Sequence, residues 1–164
     1  MTQKTKDIVQ NKLLNKTFKF SSSLKKDITQ SVIKKLGLKD KFQLNDKFEG
    51  LAFLDKHIRR VLSCKLIEEL LDVNICSSEK NLKCSTDFEY KEQKVIIVTS
   101  NNLNKINFIN NKFDYLILVT FQRSYESGSL KKIIPLKTLV DKGIINDKNI
   151  ENKQLLSFDL SFLN

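Results

Sequence analysis

The sequence predicts an α/β (α+β) domain: a mixed central sheet of about five strands with amino-terminal helices packed on it. Three observations predict it. Apolar residues recur at helical spacing from Leu24 to about Leu71. Short apolar and β-branched runs, broken by polar turns, follow from Val73 onward. No internal repeat and no long linker separates the two halves, so they share one core. At 164 residues a single domain suffices, and a chain of that size buries about 70% of the surface it exposes unfolded.

The elements follow in order. Residues 1–20 read as a basic arm, with a short helix over Lys6–Asn15, and residues 21–164 as the domain. Ser21, Ser22 and Ser23 offer a helix start. Leu24, Ile28, Val32, Ile33 and Leu36 then repeat at helical spacing, and Gly37 suits the stop. Asp46 and Glu49 form a capping pair for a longer helix. Its stripe is Leu51, Leu54, Ile58, Val61, Leu62 and Leu66.

Val73–Ser78, Cys84–Tyr90 and Lys94–Ser100 read as three successive strands. Within the third, Val95–Val98 is apolar throughout, as expected of a strand buried on both faces. Asn101–Asn111 reads as a loop with a short helix around Leu103–Ile109. Tyr115–Phe121 is a second apolar strand. A turn through Ser127–Ser129 leads to a strand over Leu130–Leu136, with Pro135 at its end or on an edge. A short helix over Lys137–Lys142 stops at Gly143, and Leu155–Leu163 alternates as a half-exposed final strand.

The charge is uneven. Of the net +10, residues 1–44 hold eleven Lys against three Asp, +8, and the remaining 120 residues hold +2. A basic segment on a near-neutral body is the electrostatic layout for a polyanion, and phosphate contact follows as the expectation. Lys12, Lys16, Lys19, Lys25, Lys26, Lys34 and Lys35 are the candidate nucleic-acid-binding residues. Only three of the 29 basic residues are Arg, which favours phosphate contact over base reading. A solvated lysine face is the competing reading.

Several classes are excluded. Four Gly provide no glycine-rich phosphate loop. The first twenty residues contain no secretory signal. No run approaches the roughly 18 apolar residues that span a membrane. Cys64, Cys76 and Cys84 have no zinc spacing, and His57, the only His, is remote from them. Free thiols and a cytoplasmic setting are the default. Phe88, Tyr90, Phe113, Tyr115, Phe121 and Tyr125 alternate with polar residues, which fits core packing better than base stacking.

One arrangement resembles a known family. The long helix at Glu49–Leu71 precedes three strands with Asp87 in the second; the apolar third strand, a loop and the strand Asp114–Phe121 follow. This order resembles the restriction-endonuclease-like superfamily, named PD-(D/E)xK after its active site, over about residues 45–140. The resemblance implies a nuclease-like fold with DNA as partner. It also implies a magnesium ion held by two carboxylates beside a lysine, the acid and lysine spaced by two on the third strand. In this chain those positions are Ile96 and Val98. Glu-x-Lys triplets occur instead at Glu89–Lys91 and Glu92–Lys94. Asp87, Glu89 and Lys91 are thus the catalytic candidates, and Glu49, Asp87 and Glu89 the magnesium candidates.

The expected function is a nucleic-acid-binding protein with a nuclease-like fold whose catalytic centre is lost or rearranged. A divergent magnesium-dependent endonuclease and a non-enzymatic protein-interaction or regulatory module are the alternatives. A homodimer or a protein partner stays open.

Overall fold

Ser21 opens the first helix as its sequence predicts. In the computed structural model, which describes residues 13–46, 49–76, 85–100, 105–109, 112–146 and 155–163, the Ser21 hydroxyl accepts from the Leu24 N–H at 3.2 Å. Helix α1 runs Ser22–Lys35. It buries Ile28 and Val32, and Gly37 ends it at φ +68°, a conformation that only glycine adopts without strain. The predicted helix over Lys6–Asn15 lies mostly outside the described residues.

A short helix α2 spans Lys41–Asp46, which the sequence reading did not anticipate. Asp40 starts it by accepting from the Phe42 and Gln43 N–H groups. Asp46 therefore belongs to α2 and is not the cap of the next helix. Helix α3 covers Gly50–Leu71 and is preceded by Glu49 in a left-handed conformation without a side-chain cap. The stripe holds from Val61 through Leu66, all buried, whereas Leu51 is 55% exposed.

The expected strand at Val73–Ser78 is corrected. Residues 73–75 have no regular structure, Cys76 is a lone bridge residue, and residues 77–84 are not described. The cause is a side chain. One carboxylate oxygen of Glu68 accepts from the Ile75 and Cys76 N–H groups at 2.8 and 2.6 Å. It takes donors that a sheet ladder would need.

The main sheet has the order β1-β6-β5-β3-β2. Its strands are β1 (Thr17–Lys19), β2 (Asp87–Tyr90), β3 (Gln93–Thr99), β5 (Tyr115–Phe121) and β6 (Ser127–Pro135). β3 and β5 are parallel, with Ile97 opposite Ile117, and the other pairs are antiparallel. The end of the arm thus belongs to the sheet: residues 17–19 form its edge strand and Phe20 is buried in the core. The turn read at Ser127–Ser129 is shifted. Those residues already pair with β1 and β5, and the chain reverses before them, through residues 122–126.

A second sheet pairs β4 (Ile106–Ile109) with β7 (Leu155–Phe158). β4 replaces the short helix expected near Leu103–Ile109. Its burial alternates strictly, Ile106 and Phe108 in, Asn107 and Ile109 out, which is strand periodicity. Helix α4 (Leu136–Asp141) follows β6 directly, and a 3₁₀ turn at Leu160–Leu163 replaces the end of the predicted last strand.

The result is three layers with a core on each face of the main sheet. Val95, Ile97, Tyr115, Ile117 and Val119 face α3 and α1. Ile96, Val98, Leu116 and Leu118 face the small sheet and α4. Strand alternation explains the split, and burial on both faces explains the unbroken apolar runs.

Gly128 marks a close approach. A methyl group there would stand 3.0 Å from a Phe121 ring carbon and 3.2 Å from Leu66 Cδ1. Gly128→Ala is therefore expected to lower stability by about 1–3 kcal/mol, as overpacking does, read as the urea midpoint.

Cys76 is disulfide-bonded. The expectation of three free thiols is corrected, and with it the thiol argument for a cytoplasmic setting. Among the described residues no helix is long and apolar enough to cross a membrane. Cys64 is free and buried. Burial pushes its thiol up to about 12. Cys64 is expected to resist iodoacetamide at pH 8 until the chain unfolds, by mass spectrometry, because the thiolate is the reactive form.

Candidate functional site

β2 is short, and its pleat decides what it offers. Phe88 and Tyr90 pack towards the helix-side core, while Asp87 and Glu89 are exposed on the other face. Asp87 is the register partner of Ile96, so the two share a face. A cavity of about 500 Å³ opens there, between this hairpin and the small sheet. Asp87, Ile96, Ile97, Val98 and Thr99 line it from the main sheet, Thr86 from just before β2, Asn107 and Phe108 from the small sheet, and Lys56 from α3.

Of the four catalytic and metal candidates and the two strand positions, the cavity gathers three. Asp87 lines it, and so do Ile96 and Val98, where the resemblance requires the acid and the lysine. Glu89, Lys91 and Glu49 do not line it. Lys91 and Glu92 form the hairpin turn at φ 49° and 65°, the doubly left-handed geometry of a two-residue hairpin. The Lys91 ammonium sits 5.3 Å from the Tyr90 ring centroid, and Tyr90 packs towards the opposite core. Glu49 is at the exposed start of α3.

The donor set does not fit magnesium. That ion needs oxygen ligands in near-octahedral array, with carboxylates among them. The cavity offers one carboxylate, flanked by isoleucine and valine. Among the described residues no group of three His, Cys, Asp or Glu comes together. Asp87, Glu89 and Glu49 therefore do not assemble a metal centre. Lys56 was not singled out from sequence, and nothing distinguishes it there from the other lysines of the chain.

The lysine candidates separate into several places. Lys12 lies outside the described residues. Lys16 is exposed just before β1. Lys19 shares a pocket with Lys65, Glu68 and Glu69, so acids lie in its surroundings. Lys25 donates to the Ser124 carbonyl at 3.3 Å. Lys35 lies 5.9 Å from the Phe53 ring centroid. Lys26 and Lys34 converge with Lys39 and Lys41 around a groove of about 990 Å³ between α1 and α3. The sequence reading counted Lys39 and Lys41 but did not place them with the others.

The aromatic residues follow the packing expectation. Phe113 and Tyr115 are buried, and Phe88, Tyr90, Phe121 and Tyr125 pack against the helix-side core. Tyr125 also ties the β5–β6 reversal to α3: its hydroxyl donates to the Asp55 carboxylate and accepts from Arg59 Nε at 2.8 Å. Burial and the Asp55 carboxylate hold the phenol above its ordinary value, so it stays protonated as that donor.

His57 is a core residue. It is 6% exposed, stacks on Phe53 and meets an Arg60 nitrogen at Nδ1, 2.8 Å away. Burial, then Arg60 and Lys35, lower its pKa. The folded state thus prefers neutral His57. As pH falls below about 6.5, the unfolded chain takes up the proton first. Stability is expected to be full above that value and to decline below it, down to the depressed folded pKa. His57→Gln should flatten that part of a Tm-against-pH profile. No protein-family model, curated protein or solved structure matches the chain.

Proposed function

We propose that the chain is a nucleic-acid-binding protein with a nuclease-like architecture and no phosphodiesterase centre. The observation that carries the binding is the segment from residue 13 to residue 43. It holds eight Lys against Asp27 and Asp40, and seven of the eight are exposed. Asp40 spends a carboxylate oxygen on two backbone N–H groups of α2. Half of the eight lysines gather at one groove. Such a surface attracts phosphates by releasing their counterions, and contacts of this kind position a chain without reading its bases.

The absence of a phosphodiesterase centre rests on the cavity chemistry. The side chains of Ile96 and Val98 have no atom that binds a cation or polarises water, and Asp87 is one carboxylate where such a centre needs two. The nuclease-like architecture rests on the mixed sheet packed on α3, with β3 and β5 parallel inside it, although the first strand of the resembling order, at Val73–Ser78, is not formed by residues 73–76.

The test is fluorescence anisotropy with a labelled oligonucleotide over a salt series, followed by incubation with magnesium. Binding that weakens linearly with log salt, with no cutting, is the expected result. No retention at 50 mM salt would overturn the binding. Cutting that stops with Asp87→Ala would overturn the loss of catalysis. Deleting residues 1–20 is a poor probe, because it removes β1 from the sheet and Phe20 from the core.

A further inference from the structure

The groove between α1 and α3 has an unusual composition. α1 and α3 run antiparallel: Ile33 and Lys34 lie by Leu51 and Leu54, and Leu24 lies by Lys65 and Glu68. Ile33, Leu38, Leu51 and Leu54 supply an apolar floor, and Lys26, Lys34, Lys39 and Lys41 the charge around it. The one acid among the lining residues is Asp40. One residue past Lys41, Phe42 is 68% exposed. Phe53 is 38% exposed beneath the Lys35 ammonium. Phe42 and Phe53 are thus exposed aromatics with a lysine beside them, outside the groove lining itself.

Resting on the reading above, we infer that this groove takes single-stranded nucleic acid in preference to duplex. The groove and the ligand have matching surfaces. A duplex presents phosphates outward and keeps its base faces stacked, so it answers the lysines and leaves the leucines wet. A single strand carries the same phosphates and can turn base faces onto an apolar or aromatic surface. Four lysines around four aliphatic side chains match both parts of that ligand, and exposed Phe42 follows Lys41 in the chain. The chain's own first twelve residues, with Lys4, Lys6 and Lys12 against Asp7, carry the wrong sign to fill the groove.

The experiment compares three labelled probes at one salt concentration: a 15-nucleotide mixed-sequence single strand, its duplex, and an 18-residue amphipathic peptide of Leu and Glu. The variants are Leu51→Gln and Phe42→Ala, both at exposed positions, with circular dichroism confirming the fold. The single strand is expected to bind at least about ten-fold more tightly than the duplex, and each variant to cost it about five-fold or more, as loss of a stacked base contact does, leaving the duplex unchanged. Equal affinity for single strand and duplex, with neither variant having an effect, overturns this inference and leaves the nucleic-acid reading standing. Binding of the peptide alone, lost in Leu51→Gln, overturns both and makes the groove a protein-docking site. Binding of no probe also overturns both.

Discussion

Phe113→Ala is expected to destabilise the fold by about 3–5 kcal/mol, the range for deleting a fully buried aromatic ring. Phe113 is 2% exposed and lies just before β5, in the core between the main sheet and the small one. It meets Phe108 edge to face at 6.0 Å, and Phe108 meets Phe158 in the same way at 5.9 Å. The three rings couple β4, β7 and the entry to β5. The backbone that follows it cannot readily close the gap. The neighbouring Asp114 is pinned by hydrogen bonds to Lys94 and Leu136. A cavity would therefore persist, and its volume adds to the lost transfer energy. For a chain of this size the loss is equivalent to a drop in Tm of roughly 6–20 °C. Phe113→Leu, which keeps most of the volume, should cost less than half as much. Equal effects of the two variants would show that the ring's volume is not what the small sheet packs against. Because Asn107, Phe108, Ile109 and Leu155 wall the Asp87 cavity, the alanine variant should also loosen that cavity before the chain unfolds.

Much of this architecture is legible in residue patterns, for reasons particular to each element. Ser21 and Gly37 bound α1 because a side-chain cap and a left-handed stop are local devices. Val95–Val98 reads as a doubly buried strand because both faces of the sheet are covered. The misreadings share a different origin. Residues 73–76 look like a strand by composition, but Glu68 takes their N–H groups. β1 is three residues long and is a strand because β6 has a free edge for it, and no propensity announces that. β4 holds only four residues between stretches of Asn, too few to separate period 2 from period 3.6.

The site was legible in part for the same reasons. Strand alternation puts Asp87, Ile96 and Val98 on one face, as the register of Asp87 with Ile96 and the packing of Ile96 and Val98 in one core show. The lysines could not be grouped in advance. Lys25 and Lys26 are adjacent in sequence, yet one bonds the β5–β6 reversal and the other borders the groove. Lys39 and Lys41 join Lys34 only because the chain folds back between α1 and α2.

Replacing Lys26, Lys34, Lys39 and Lys41 together by alanine is expected to have the largest functional effect. All four are exposed, so the fold should survive and its Tm should move little. If each contacts one phosphate, the slope of log affinity against log salt falls by about 3 for a single strand, at roughly 0.7 per contact. Extrapolated to 1 M salt the variant and the parent should bind alike. At 0.1 M the same change in slope amounts to a loss on the order of 10²–10³-fold. Replacing Lys16, Lys19, Lys25 and Lys35 instead removes the same formal charge. None of those four lines the groove, and Lys19 shares its pocket with Glu68 and Glu69, so the loss should be smaller and the slope change nearer 1. Equal losses from both sets would mean that net charge acts without a groove. A larger loss from the second set would move the phosphate path to the β1 edge.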